Sequence, residues 1–278
     1  MRSHFRISSG AAKACAVTSA TAIMAGICSA QIAADYATDP AYAGGWSAGQ
    51  NGGYGFGAWS FNGTDPTPAG QYQGISSSSA LGTSWTLLSH STSSGLANAG
   101  RAINGGLQPG QTFETVIQNP TTTAGPYTYR GFDILFTSGP DNNGPGVNTS
   151  SLRAQVFDYF NYSQSWGVAD TNGSTTTTLT GPTTGAAGMK LDLTLTSATT
   201  YWLTMTPLNG ATAYSQGGTY AGPIDWVDFR LYNAASGGLN DTANNFEISS
   251  LTIAPEPSTL AFIGLGSAAL MFLRRRRK

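Results

Sequence analysis

An all-β fold is what this sequence predicts: an antiparallel two-sheet sandwich of jelly-roll type, with an apolar helix at each end of the chain. Three observations predict it. The middle of the chain, residues 31–254, is written in short runs of alternating polar and apolar residues, the period of a half-buried strand. Turns rich in Gly, Pro and Asn separate the runs, as at Gly139-Pro140-Asp141-Asn142-Asn143-Gly144. The strong helix formers Glu, Lys, Gln and Arg are scarce there, and no stretch carries a helical period.

Residues 1–30 form the first segment. They carry Arg2, Arg6 and Lys13 and no acid, continue as an apolar run from Ala14 to Ile27, and close on Cys28-Ser29-Ala30. Cations, a short apolar helix and small residues, in that order, describe a secretory signal peptide cut by signal peptidase after Ala30. An uncleaved anchor is the competing reading. Lipidation at Cys28 is disfavoured by the bulky Ile27 before it.

The body follows, over residues 31–254. Lys190-Leu191-Asp192-Leu193-Thr194-Leu195-Thr196 alternates without a fault and puts three leucines on one face. Ser197-Ala198-Thr199 then turns the chain into Tyr201-Trp202-Leu203-Thr204-Met205, a hairpin. Further strands are expected at Ala58–Asn62, Ser84–Leu88, Thr112–Gln118, Tyr129–Thr137, Leu152–Tyr162, Thr176–Thr180, Ile224–Tyr232 and Phe246–Ile253. Ten or more such strands suit a two-sheet sandwich. The absence of a long repeat disfavours a propeller or solenoid.

The tail is residues 255–278. Leu260 to Leu273 is an uncharged apolar run that spans about 21 Å as a helix, short of a hydrocarbon core of about 30 Å. Arg274, Arg275, Arg276, Arg277 and Lys278 end the chain and act as a basic stop on the cytoplasmic side. Pro255, Glu256 and Pro257 precede the helix. Each proline restricts the residue before it and lacks an N–H, so the tripeptide stays extended.

Pro255-Glu256-Pro257, the short apolar helix and the arginine cluster together resemble the PEP-CTERM sorting signal. The resemblance implies export through the inner membrane of a polysaccharide-producing Gram-negative cell. It also implies transient anchoring by the tail, and cleavage by exosortase, an integral-membrane protease. A plain C-terminal anchor is the competing reading. More loosely, the body resembles concanavalin A/laminin G-like sandwiches. That likeness rests on a Gly/aromatic segment from Gly44-Gly45-Trp46 to Trp59, the run Ile224 to Asn233, and the Asn-rich lead Asn240 to Asn245. It implies a concave sheet that binds sugar and calcium at an edge.

Charge and composition exclude several functions. The body holds five basic residues against thirteen acidic ones, so it repels phosphate and no nucleic-acid partner is expected. Both cysteines, Cys15 and Cys28, fall in the signal segment, and only His90 remains as a histidine of the body. A serine triad or a histidine zinc site is thereby disfavoured. Asp225 and Asp228 flank Trp226, but a spacing of three in a strand puts them on opposite faces. Glu114 and Glu247 are the other strong carboxylates. None makes the close pair a glycosidase needs, and all are expected to be solvated.

Trp46, Tyr54, Phe56 and Trp59 present two readings, a sugar-stacking platform or a cap on the sandwich. Asp241, Asn244 and Asn245, with Asp141 to Asn143 as a second loop, offer the oxygen ligands calcium takes, although Asp and Asn are also ordinary turn residues. No other cofactor is expected. The sequence therefore points to an exported non-enzymatic surface or matrix protein, with exopolysaccharide as the candidate partner. A polysaccharide-active glycosidase or lyase on the same fold and a purely structural adhesin are the alternatives.

Overall fold

The computed structural model describes residues 31–63, 73–89, 95–118, 131–141, 150–159, 166–170, 177–179, 187–232, 238–241 and 243–255. Residues 1–30, Glu256 and Pro257, the apolar helix expected at 260–273 and the basic end 274–278 lie outside the described residues. Among the described residues no helix is long and apolar enough to cross a membrane.

Two antiparallel sheets face each other across one core. The eight-stranded sheet runs β13 (Tyr214–Thr219), β12 (Thr200–Pro207), β11 (Met189–Leu195), β6 (Gln111–Gln118), β15 (Phe246–Pro255), β4 (Gly82–Leu87) and β3 (Gln73–Ser79), with β1 (Ala33–Tyr36) also on β15. The seven-stranded sheet runs β10 (Thr177–Leu179), β9 (Trp166–Asp170), β8 (Leu152–Tyr159), β7 (Gly131–Thr137), β14 (Trp226–Tyr232), β5 (Leu96–Ala102) and β2 (Ser60–Gly63). Among the described residues there is one 3-10 turn, Pro40–Tyr42, capped by the Asp39 side chain.

The alternation read in β11 is the one the fold uses. Leu191, Leu193 and Leu195 are fully buried, and Leu195 pairs with Tyr201 across the expected hairpin. Five strands were not legible as runs: β1, β3, β5, β9 and β13. β5 reads Leu-Ala-Asn-Ala-Gly-Arg-Ala, low in the branched and aromatic residues that mark strands. Small residues suit it because both of its faces are covered.

β15 organises the eight-stranded sheet. One side of it pairs with β6 from Glu247 to Pro255, with a bulge at Ser249. On the other side β4 takes Phe246 to Ile248 and β1 takes Ser250 to Ile253. β15 also runs one residue past the boundary expected at 254: Pro255 pairs with Gln111. As the last residue of its strand, it costs the ladder little for want of an N–H.

The chain between β1 and β2 straps one edge of the sandwich. Tyr54 bridges to Ala34 of one sheet, and Phe56 bridges to Ile103 beside the other. The strap lies so close that a Cβ on Gly53 would fall 1.8 Å from the Ala34 carbonyl oxygen. Only glycine fits there.

Candidate functional site

The strap decides between the two readings of Trp46, Tyr54, Phe56 and Trp59, a sugar-stacking platform or a cap on the sandwich. Trp46, Phe56 and Trp59 are 1–2% exposed and belong to the core. Trp46 meets Trp59 edge-on at 4.9 Å, and the Arg101 guanidinium lies over the rings of Phe56 and Trp59 at 4.9 and 4.5 Å. Of the two readings, three of the four rings therefore take the second and cap the sandwich from within. Tyr54 alone, 54% exposed, presents a face to solvent.

The Asp/Asn loop is closed by its own side chains. Asn244 Nδ2 donates to Asp241 Oδ2 at 2.8 Å, and the backbone N–H groups of Asn244 and Asn245 donate to the Asp241 carbonyl. Fully buried Asn245 donates its amide to the carbonyls of Gly238 and Leu239. These are turn contacts, and calcium, which takes six to eight oxygens, would have to draw them from those partners. Among the described residues no group of three His, Cys, Asp or Glu side chains is placed to hold a metal. His90, Asn142 and Asn143 lie outside the described residues.

The strand carboxylates correct an expectation. Asp228 and Glu247 are 3% and 0% exposed, where solvated groups were expected; Glu114 remains partly exposed beside Lys190. Glu247 accepts hydrogen bonds from Ser84 and Thr86 on β4, and its burial raises its pKa against the opposing effect of those bonds. Asp225 precedes β14 rather than lying in it, so the period of two does not govern it. Both aspartates reach one segment: Gly139 N–H donates to Asp225 Oδ1 at 2.6 Å, and Asp141 N–H to Asp228 Oδ2 at 3.4 Å.

That segment folds over the outer face of the seven-stranded sheet and completes a buried polar cluster there. Val227, Phe229 and Leu231 of β14 enter the core, which sends Asp228, Arg230 and Tyr232 outward. Arg230 Nη2 lies 3.2 Å from Asp141 Oδ2, with both side chains fully buried. The Tyr232 hydroxyl donates to Asp133 Oδ2 at 2.7 Å. Burial pushes the Asp228 carboxyl up to about 6, while the Arg230 charge and hydrogen bonds from Trp226 and Asp141 pull the other way. Gly100 opposite leaves room for it: a Cβ there would fall 2.0 Å from Asp228 Oδ1. Alternation along Trp226 to Tyr232 was the available signal for this cluster. Alternation cannot say that the polar face would be covered.

Chemically the cluster accepts hydrogen bonds and holds one carboxyl that titrates near pH 6. It is not laid out as an acid/base pair flanking a groove. Open clefts among the described residues include two outside the cluster. One, of about 620 Å³, is lined by the 3-10 turn, Trp46 and Gln73–Ile75. The other, of about 380 Å³, lies between Ile103–Pro109 and Tyr220–Asp225. Neither gathers carboxylates in a pair.

At the end of β15 the sequence resemblance meets its test. The family model described as the PEP-CTERM protein-sorting motif matches residues 254–277. The tail is a PEP-CTERM sorting motif. It begins inside the sheet, because Ala254 and Pro255 are the last two residues of β15. The search of curated proteins gives no match.

Among solved structures the chain is similar to legume-lectin-like sandwich domains. The VIP36 exoplasmic/lumenal domain bound to Ca2+ and Man3GlcNAc is 12% identical, with TM-score 0.45, covering 71% of this chain and 83% of that one. The Emp46p carbohydrate recognition domain in its potassium-bound form is 10% identical, with TM-score 0.44, covering 71% and 88%. The legume lectin-like domain from Entamoeba histolytica is 8% identical, with TM-score 0.43, covering 71% and 89%. At these values no ligand or residue role passes from those domains to this chain.

Proposed function

We propose that this chain is an exported, non-enzymatic surface or matrix protein, delivered by its tail, cut there by an exosortase, and associated with extracellular polysaccharide. The observation that carries the reading is the sorting motif at 254–277, joined to the sandwich without a linker. A folded body thus stands directly against the segment to be cut. Cleavage inside β15 would remove the strand that β6, β4 and β1 all pair with. The cut therefore falls downstream of Pro255, and the N-terminal cut falls after Ala30; the start of the body lies along β15, where Ile32 N–H donates to the Ile253 carbonyl at 2.7 Å.

What weighs against catalysis is the state of the carboxylates. A glycosidase holds two of them roughly 5–10 Å apart across a substrate groove. Here Asp141 is ion-paired, Asp133 accepts from Tyr232, and Asp228 is 3% exposed.

Mass spectrometry of protein recovered from producing cells tests the sorting reading. The expected termini are Gln31 and a residue at or just after Glu256, with Lys278 retained when the exosortase is deleted. Lys278 on surface-located protein in cells that have the enzyme would favour the plain anchor. Release of reducing ends from the cells' own polysaccharide would revive the enzyme.

A further inference from the structure

Trp202 is a large aromatic that the core does not use. It sits on β12 with its side chain on the outer face of the eight-stranded sheet, 50% exposed, between Thr194 of β11 and Gly217 of β13. The indole lies across Gly217: a Cβ there would come within 3.1 Å of two atoms of its six-membered ring. The missing side chain on β13 is what lets the ring lie down rather than stand up. Hydroxyls surround it, with Thr112 and Thr194 hydrogen-bonded at 2.8 Å and Thr204 and Ser215 at 3.1 Å.

The same face continues over β6 and β15 to β1, where Tyr36 is 42% exposed and pairs with Ser250. Four strand spacings across and four residues along separate the two rings, about 23 Å on a flat sheet. Between them lie Lys190, Glu114 and Asp192, the lysine held by both carboxylates at 3.1 and 2.8 Å. Lys190 is thus already neutralised, so among the described residues of this face no free cation attracts a polyanion.

We infer that this face, with Trp202 and Tyr36 as stacking rings and the Thr/Ser hydroxyls and the Lys190 triad between them, binds an extended neutral polysaccharide. Pyranose rings present apolar C–H faces to an indole and hydroxyl edges to polar neighbours, and this surface offers both in the same order. The separation calls for a chain of several sugars rather than a monosaccharide. A second protein would need a contiguous apolar centre in an interface of about 800 Å² a side. A membrane would need more than one isolated indole amid hydroxyls and charges. The site lies on the opposite sheet from the buried carboxylate cluster.

The inference names the site for the polysaccharide association proposed above and rests on it, so the experiment separates the two. Mature protein recovered from cells is titrated with the cells' own extracellular polysaccharide and with cellohexaose. Binding is also measured to vesicles of phosphatidylethanolamine and phosphatidylglycerol. Trp202→Ala is expected to weaken polysaccharide binding about tenfold or more, and Tyr36→Ala several-fold. Gly217→Ala, which lifts the indole without removing it, is expected to weaken binding while the circular dichroism spectrum stays unchanged. Wild-type binding that all three variants keep would overturn the site and leave the association standing. Wild-type protein that binds neither polysaccharide would overturn both. Trp202-dependent binding to vesicles alone would make the face a membrane surface and overturn the inference.

Discussion

Arg101 of the seven-stranded sheet reaches through the core to Asp35 of the eight-stranded sheet, and both side chains are fully buried. The guanidinium is satisfied on its other edges by the Gly57 carbonyl and Asn51 Oδ1. Asp35 Oδ2 also accepts from the Tyr42 hydroxyl, which in turn accepts from Trp59 Nε1 and Gly52 N–H. One ion pair therefore ties together β1, β5 and the strap between β1 and β2.

Removing one partner strands the other charge in the core. Arg101→Met is expected to cost about 3–5 kcal/mol, read from the urea midpoint. The double variant Arg101→Met with Asp35→Leu is expected to cost less than either single change, because no buried charge is left over. Equal losses in all three would show that packing of the strap, not charge, carries the effect.

A pH dependence comes from Asp158, which is 2% exposed on the core side of β8 and pairs in register with Phe132 and Trp166. Burial pushes its carboxyl up to about 6 from an ordinary 3.8. The folded state thus holds this proton more tightly than the unfolded state. Its contribution to stability is full below about pH 4 and is lost as pH rises through about 6. Asp158→Asn should raise stability at pH 7.5 by about 2–3 kcal/mol and flatten the decline between pH 4 and 6. An unchanged pH profile in the variant would contradict this.

The C-terminal boundary is testable by truncation. A chain ending at Pro255 keeps all of β15 and is expected to melt at the same temperature as one ending at Lys278 without its tail inserted. A chain ending at Asn245 loses the strand between β6 and its neighbours β4 and β1 and is expected not to fold. Circular dichroism and limited proteolysis distinguish them.

Chelation tests the Asp241 loop. Because Asn244 and Asn245 already close it, EDTA is expected to leave the melting temperature unchanged, and added calcium to raise it by less than about 1 °C. A larger rise would mean that the loop surrenders its turn contacts to the ion.

Much of the strand layout was readable where one face is apolar and the other wet, as in β11 and β12. It failed in β5, where both faces are covered and the residues are small; β7 and β14, also covered on both faces, were legible from their branched and aromatic residues. Alternation reports a contrast between faces, and β5 has none. Trp202 stood in a predicted strand, yet its exposure depended on Gly217, fifteen residues on in the adjacent β13.

By itself, the sequence determined the class of fold, the hairpin at Ser197 to Thr199 and the sorting tail. Each of these is written in contiguous residues through a local period, a turn or a motif. Only the tertiary structure decided which aromatics are inside, that Asp228 and Glu247 are buried, and that Arg101 meets Asp35. Those outcomes depend on which strands become neighbours, a relation between residues 66 positions apart for Arg101 and Asp35 that no local pattern encodes.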